Sequence, residues 1–141
     1  MGVLKAIKTS LVEMEKRKWE KMYYYFDIHS TILKPNYTLD HMPDEFYPFA
    51  KEALIELSSK PNIVMGLYTC SHPDEVEKYL KFFSDLRINF KYVNVNPEVP
   101  SEGYGYYETK PYMNVLFEDK SGFDAEEEWE GVLDFVKNNI K

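Results

Sequence analysis

Cysteine is nearly missing from this chain: Cys70 is the single one in 141 residues. No intrachain disulfide can form, and no cysteine metal cluster can be built. Long apolar runs are missing too. No stretch approaches the length a bilayer span needs, and the first residues lack the apolar core and small-residue cleavage site of a signal peptide. A reduced, cytoplasmic location is the resulting expectation. Basic excess is also absent. With 17 Lys and Arg against 24 Asp and Glu, the formal charge is −7. That disfavours non-specific binding to nucleic acid or an anionic membrane, but leaves open a small phosphorylated substrate met through a metal cation. Finally, no Gly-rich phosphate loop follows the first apolar run, which argues against a flavodoxin-like or dinucleotide-binding module.

What is present is the balance of a soluble globular chain, 44% hydrophobic and 29% charged, and rich in aromatics with 12 Tyr and 9 Phe. The length suits one domain over 1–141 with one core. Residues 22–26, Met-Tyr-Tyr-Tyr-Phe, read as a buried strand. Such strands belong to parallel sheets covered on both faces. The run stops at Asp27, and His29 and Thr31 follow.

Around this strand the chain alternates. Residues 1–20 are expected to form an additional helix with Leu4, Ile7, Leu11 and Met14 on one face. It would pack on the α/β core of 22–139 or, alternatively, pair two copies of the chain as a homodimer. Lys34-Pro35-Asn36-Tyr37 breaks regular structure, and Asp40 to Pro43 continues as loop. Asp44 is positioned to cap a helix over 45–59, with Pro48 tolerated in its first turn. A second strand is expected over 63–69, ending in Thr69-Cys70-Ser71, and a helix opens at Ser71-His72-Pro73 with Asp74 and Glu75 in its positive first turn. A third strand is expected over 88–95, a fourth over 113–117 ending in Glu118-Asp119, and a last helix over 125–139. Glu126-Glu127-Glu128 would be its solvated first turn. Strand and helix in alternation imply an α/β fold, Rossmann-like, a three-layer sandwich on a mostly parallel sheet with right-handed crossovers. With strand order 3-2-1-4, the first and fourth strands are neighbours and the crevice opens between their C-terminal ends, with Asp27 facing Asp119.

The ordered set Asp27-Ile28-His29-Ser30-Thr31, then Thr69, then Lys110-Pro111, then Glu118-Asp119 resembles the four motifs of the haloacid dehalogenase-like (HAD) phosphatase superfamily, over roughly 22–136. The resemblance implies a capless Mg²⁺-dependent phosphohydrolase acting on a small or macromolecular phosphomonoester. Asp27 would be the nucleophile that forms an aspartyl-phosphate. Thr31, Thr69 and Lys110 would serve the phosphate, Thr69 close to a helix N-terminus. Mg²⁺ would take Asp27, the backbone carbonyl of His29, Glu118 and Asp119. His29 departs from the pattern, standing where most family phosphatases carry a second Asp. An imidazole, with an unperturbed pKa of roughly 6.5, can give and take the proton that Asp handles there. The alternative reading keeps the fold and lets it bind a phosphorylated ligand or protein partner without efficient turnover.

The intervals 34–44 and 95–110 are the candidate lids. Tyr104, Tyr106 and Tyr107 either pack the second of these down or rim the site as a stacking surface for a nucleobase or sugar. His41 and His72 are expected as surface or cap residues, and Cys70 as a packed thiol.

Overall fold

The computed structural model describes residues 2–36, 42–101, 105–107 and 110–141. Four parallel strands form one sheet in the order β3-β2-β1-β4: β1 (Met22–Phe26), β2 (Ile63–Leu67), β3 (Tyr92–Val93) and β4 (Val115–Phe117). The helices are α1 (Gly2–Arg17), α2 (Ala50–Ser58), α3 (Pro73–Asp85) and α4 (Trp129–Asn139). The α/β Rossmann-like architecture and strand order expected from the sequence are those observed. Central β1 pairs along its whole length with β2 and over its last half with β4, where Phe26 sits opposite Phe117.

Successive side chains of β1 point to opposite faces, and the two faces are covered differently. Met22, Tyr24 and Phe26 look into the helical layer. The Tyr24 hydroxyl meets Ser10 of α1 at 2.8 Å, and Phe26 stacks on Phe117 and on Trp129 of α4. Helix α2 packs on α4 and β2, while α3 joins the same core through Phe83 against Phe90, which in turn packs on Phe26. On the opposite face, Tyr23 and Tyr25 meet the irregular chain that returns from β3 to β4. Tyr25 donates to the Val95 carbonyl, Tyr23 donates to Glu98, and the rings of Tyr23 and Tyr112 meet edge to face. The third layer of the sandwich is therefore irregular chain. Gly66 of β2 lies under the Tyr25 ring, where a Cβ would collide with ring atoms.

Several element bounds differ from expectation for identifiable reasons. Helix α2 begins at Ala50, not 45, and Asp44 does not cap it. Residues 45–47 instead pair with the turn after β1: Lys34 donates to Glu45 O at 2.8 Å and Tyr47 to Ile32 O at 3.1 Å. Tyr47 precedes Pro48, which disfavours helical backbone, and Phe49 sits at φ 67°, so the helix can start only after it. β3 shrinks from 88–95 to Tyr92–Val93 because it is an edge strand pairing only with Gly66 and Leu67. β2 stops at Leu67 and β4 starts at Val115. α4 starts at Trp129, so Glu126–Glu128 precede it. Glu128 folds back so that its carboxylate accepts the Asp124 N–H at 2.6 Å. Helix α1 uses Val3, Ile7 and Ser10 as its fully buried positions, with Leu4, Leu11 and Met14 partly buried against the core. Among the described residues, no helix is long and apolar enough to cross a membrane.

Candidate active site

Parallel pairing brings the C-terminal ends of β1, β2 and β4 to one edge. The Asp27 N–H donates to Phe117 O at 3.0 Å, locking the end of β1 to the end of β4. Beyond β4, a single 3-10 turn over Asp119–Ser121 folds the chain back, closed by Gly122 at φ 101°. The result is a cluster of half-buried carboxylates: Asp27, Glu118 and Asp119 each offer one oxygen within 4.8 Å of the others.

Asp27 is held by its surroundings. One carboxylate oxygen, Oδ1, accepts the Ile28 N–H at 2.9 Å, which leaves Oδ2 as its free oxygen. Burial pushes its pKa above the usual carboxylate value; the Ile28 hydrogen bond opposes this, Glu118 and Asp119 raise it further, and His29 lowers it. Three acids this close repel one another, and a hard divalent cation would relieve that repulsion. The donor set fits Mg²⁺: carboxylate oxygens, together with a His29 carbonyl on which no hydrogen bond from a described residue ends. That carbonyl is left spare because the turn after β1 closes around its neighbours, with Leu33 N–H to Ile28 O and Ser30 N–H to Leu33 O, both at 3.0 Å. Ser30 takes φ 62° to make this turn.

Asp27 and Glu118 border an open cleft of about 670 Å³, lined also by His29, Tyr68, Thr69, Cys70, Ser71, His72, Glu75, Asn94 and Lys120, while Asp119 borders the neighbouring hollow. His29 Nε2 lies 2.8 Å from the Tyr79 hydroxyl on α3, an edge-to-face pair. Thr69 is held from both sides. Its N–H donates to Asn94 Oδ1 and its carbonyl accepts from Asn94 Nδ2, both at 2.8 Å, so one side chain prolongs the β2–β3 ladder past the strand ends. Its hydroxyl accepts the Ser71 N–H at 3.1 Å.

Two expected phosphate residues lie elsewhere. Thr31 is fully buried, so it cannot touch a ligand in the cleft. Its hydroxyl accepts the Asp119 N–H at 3.2 Å, and its carbonyl accepts the Trp129 indole N–H at 2.8 Å. Thr31 thus positions the turn that carries Asp119. Lys110 is exposed and does not line the cleft. It lies two residues before Tyr112, whose ring packs on Tyr23 at the N-terminal edge of the sheet, beside a separate hollow lined by Trp19, Lys21 and Asn114. Chain entering a parallel strand enters from that edge, the one opposite Asp27.

Other expectations resolve similarly. Cys70 is exposed in the cleft and not packed. His72 is the N-cap residue of α3 but also lines the cleft. Tyr107 packs on Tyr112, so that part of the loop is packed down, while Tyr106 is exposed. Asp40, His41 and Tyr104 lie outside the described residues. Sequence reasoning missed Tyr68, Ser71, Tyr79, Asn94 and Lys120. Tyr68, Ser71 and Lys120 adjoin residues that were singled out, and that adjacency was their available signal. Asn94 and Tyr79 carried none.

No family model matches this chain, and no curated protein matches it. A solved structure of a conserved protein from Bacteroides thetaiotaomicron is similar, at 16% identity. The match covers 86% of this chain and 93% of that one, with a TM-score of 0.63. This likeness shows the fold alone.

Proposed function

We propose that this protein is a Mg²⁺-dependent phosphohydrolase of the HAD type, cleaving a phosphomonoester through an aspartyl-phosphate on Asp27. The observation that carries this reading is the meeting of Asp27, from the end of β1, with Glu118 and Asp119, from the end of β4, beside a cleft that Asp27, Glu118 and Thr69 line.

Mg²⁺ held by Asp27, Glu118, Asp119 and the His29 carbonyl would supply charge neutralisation between nucleophile and phosphoryl group. The chain's own residues do the rest. Asp27 Oδ2 attacks phosphorus, since Oδ1 is engaged with the Ile28 N–H. The bond from phosphorus to the ester oxygen breaks, and His29 gives that oxygen its proton. His29 then takes a proton from water as the water oxygen attacks phosphorus, releasing phosphate and regenerating the Asp27 carboxylate. Thr69, its backbone fixed by Asn94, turns its hydroxyl proton from Ser71 Oγ, 3.1 Å away, to the phosphoryl oxygens.

A second reading, binding of a phosphorylated ligand or a protein partner without efficient turnover, is favoured by the engagement of His29 Nε2 with Tyr79. One assay separates the two. Hydrolysis of p-nitrophenyl phosphate is measured with Mg²⁺ and with EDTA, for wild type and Asp27→Asn. The phosphohydrolase reading expects metal-dependent turnover that falls to background in the variant. Turnover indifferent to Asp27→Asn sinks it, and folded wild type without turnover favours the second reading.

A further inference from the structure

The cleft is acidic, and a phosphomonoester is itself an anion. Asp27, Glu118 and Glu75 line its walls, and Asp119 clusters with the first two. One divalent cation offsets only two of the three clustered carboxylates. An entering phosphoryl group therefore meets residual negative charge unless a further cation faces it.

Lys110 does not line the cleft, and it lies two residues from a Tyr112 that packs on Tyr23 near the start of β1. Among the described residues Lys120 is the one Lys or Arg that lines the cleft. It is exposed, and among the described residues no acid pairs with it and no acceptor takes its protons. An unpaired ammonium group beside clustered acids is available to a ligand. Its backbone, by contrast, is held tightly. Ser121 N–H donates to Glu118 O at 3.1 Å, Gly122 N–H to Asp119 O at 3.0 Å, and Phe123 N–H to Glu118 O at 3.2 Å. That turn is tied to the turn after β1 through the bond from Asp119 N–H to the Thr31 hydroxyl. Glu118 and Lys120, two apart, both border this cleft, whereas Asp119 between them borders the neighbouring one that holds Ser30 and Tyr47.

We propose that Lys120, and not Lys110, is the catalytic residue whose ammonium group binds the oxygens of the phosphoryl group passing to Asp27, so that one short turn supplies both the metal-binding acids and the phosphate-binding cation. This rests on the phosphohydrolase reading of the same cleft.

The test compares wild type, Asp27→Asn, Lys110→Met, Lys120→Met and Lys120→Arg. It measures p-nitrophenyl phosphate hydrolysis at saturating Mg²⁺, competitive inhibition by inorganic phosphate, and the Mg²⁺ concentration giving half-maximal rate. Lys120→Met is expected to lower kcat/KM by about 100-fold and to weaken phosphate inhibition, with little change in the Mg²⁺ requirement. Lys120→Arg should restore part of the rate, and Lys110→Met should stay close to wild type. Turnover that depends on Asp27 but is unaffected by Lys120→Met overturns the role of Lys120 alone. The same holds if Lys110→Met abolishes the rate while Lys120→Met does not. Absence of wild-type turnover, or turnover unaffected by Asp27→Asn, removes the underlying reading and this inference with it. Circular dichroism melts verify that each variant is folded.

Discussion

A single hydroxyl shows how the residues of this site depend on one another. Thr31 has no access to solvent, yet its Oγ1 accepts the N–H of Asp119, a residue 88 positions away. Thr31→Val keeps the shape and removes the acceptor, leaving a backbone N–H unpaired beside the carboxylate cluster. The expected cost is about 1–3 kcal/mol, read by urea denaturation. Thr31→Ser should recover most of it. In the proposed enzyme, Thr31→Val should also raise the Mg²⁺ concentration needed for half-maximal rate, because the Asp119 turn loses its tether. Asp27 was legible as a site residue because one acid ends an aromatic run. The job of Thr31 was not, because a hydroxyl's partner across the fold leaves no local trace.

At the scale of elements, β1 and β2 meet through one unusual pair. Tyr25 lies flat over Gly66, and the register places the two residues opposite each other. The ring cannot swing aside freely, since its hydroxyl is bonded to Val95 O in the layer above. Gly66→Ala should therefore force a shift of the ring or of β1 and destabilise the protein by about 1–3 kcal/mol. Thermal melting measures this, and a melting temperature equal to that of wild type would refute the packing argument. Strand and helix identities follow from local pattern, which is why each of the four strands and four α-helices among the described residues was foreseen. Their ends follow from partners. Phe49 in left-handed backbone delays α2, and an edge position with two partner residues shortens β3.

The whole molecule rests its irregular layer on Glu98. Its carboxylate accepts from Tyr92 at 2.6 Å, Lys91 at 2.9 Å, and Lys21 and Tyr23 at 3.1 Å each. These partners come from before β1, from β1 and from β3, so one side chain ties the returning chain to the sheet. Hydrogen bonds from Tyr92 and Lys91 chiefly pull its pKa down from 4.5 to about 2. A depressed carboxylate stabilises the fold above its unfolded value, and that contribution is lost as pH falls through the folded one. Glu98→Gln should thus cost about 1 kcal/mol at pH 7, discounted from the full shift because the lysine partners are solvent-screened. The gap between wild type and variant should close between about pH 4.5 and 2. Urea denaturation across that range checks it. A gap that persists unchanged to pH 2 would assign the cost to lost packing.

By itself the sequence determined the alternation of elements and the strand ends that carry Asp27, Thr69, Glu118 and Asp119, while the order 3-2-1-4 entered as a premise that the sheet then bore out. These depend on short-range hydrophobic periodicity and on the handedness of parallel crossovers, both of which act within neighbouring segments. Only the tertiary structure decided that Thr31 is buried beneath Asp119, that Asn94 clamps Thr69, and that Lys120 lines the cleft while Lys110 does not. The physical reason is that a side chain's reach is set by where its backbone enters the sheet and what packs against its neighbours. A lysine before a parallel strand starts at the far edge, a lysine after it starts at the site, and composition cannot tell the two apart.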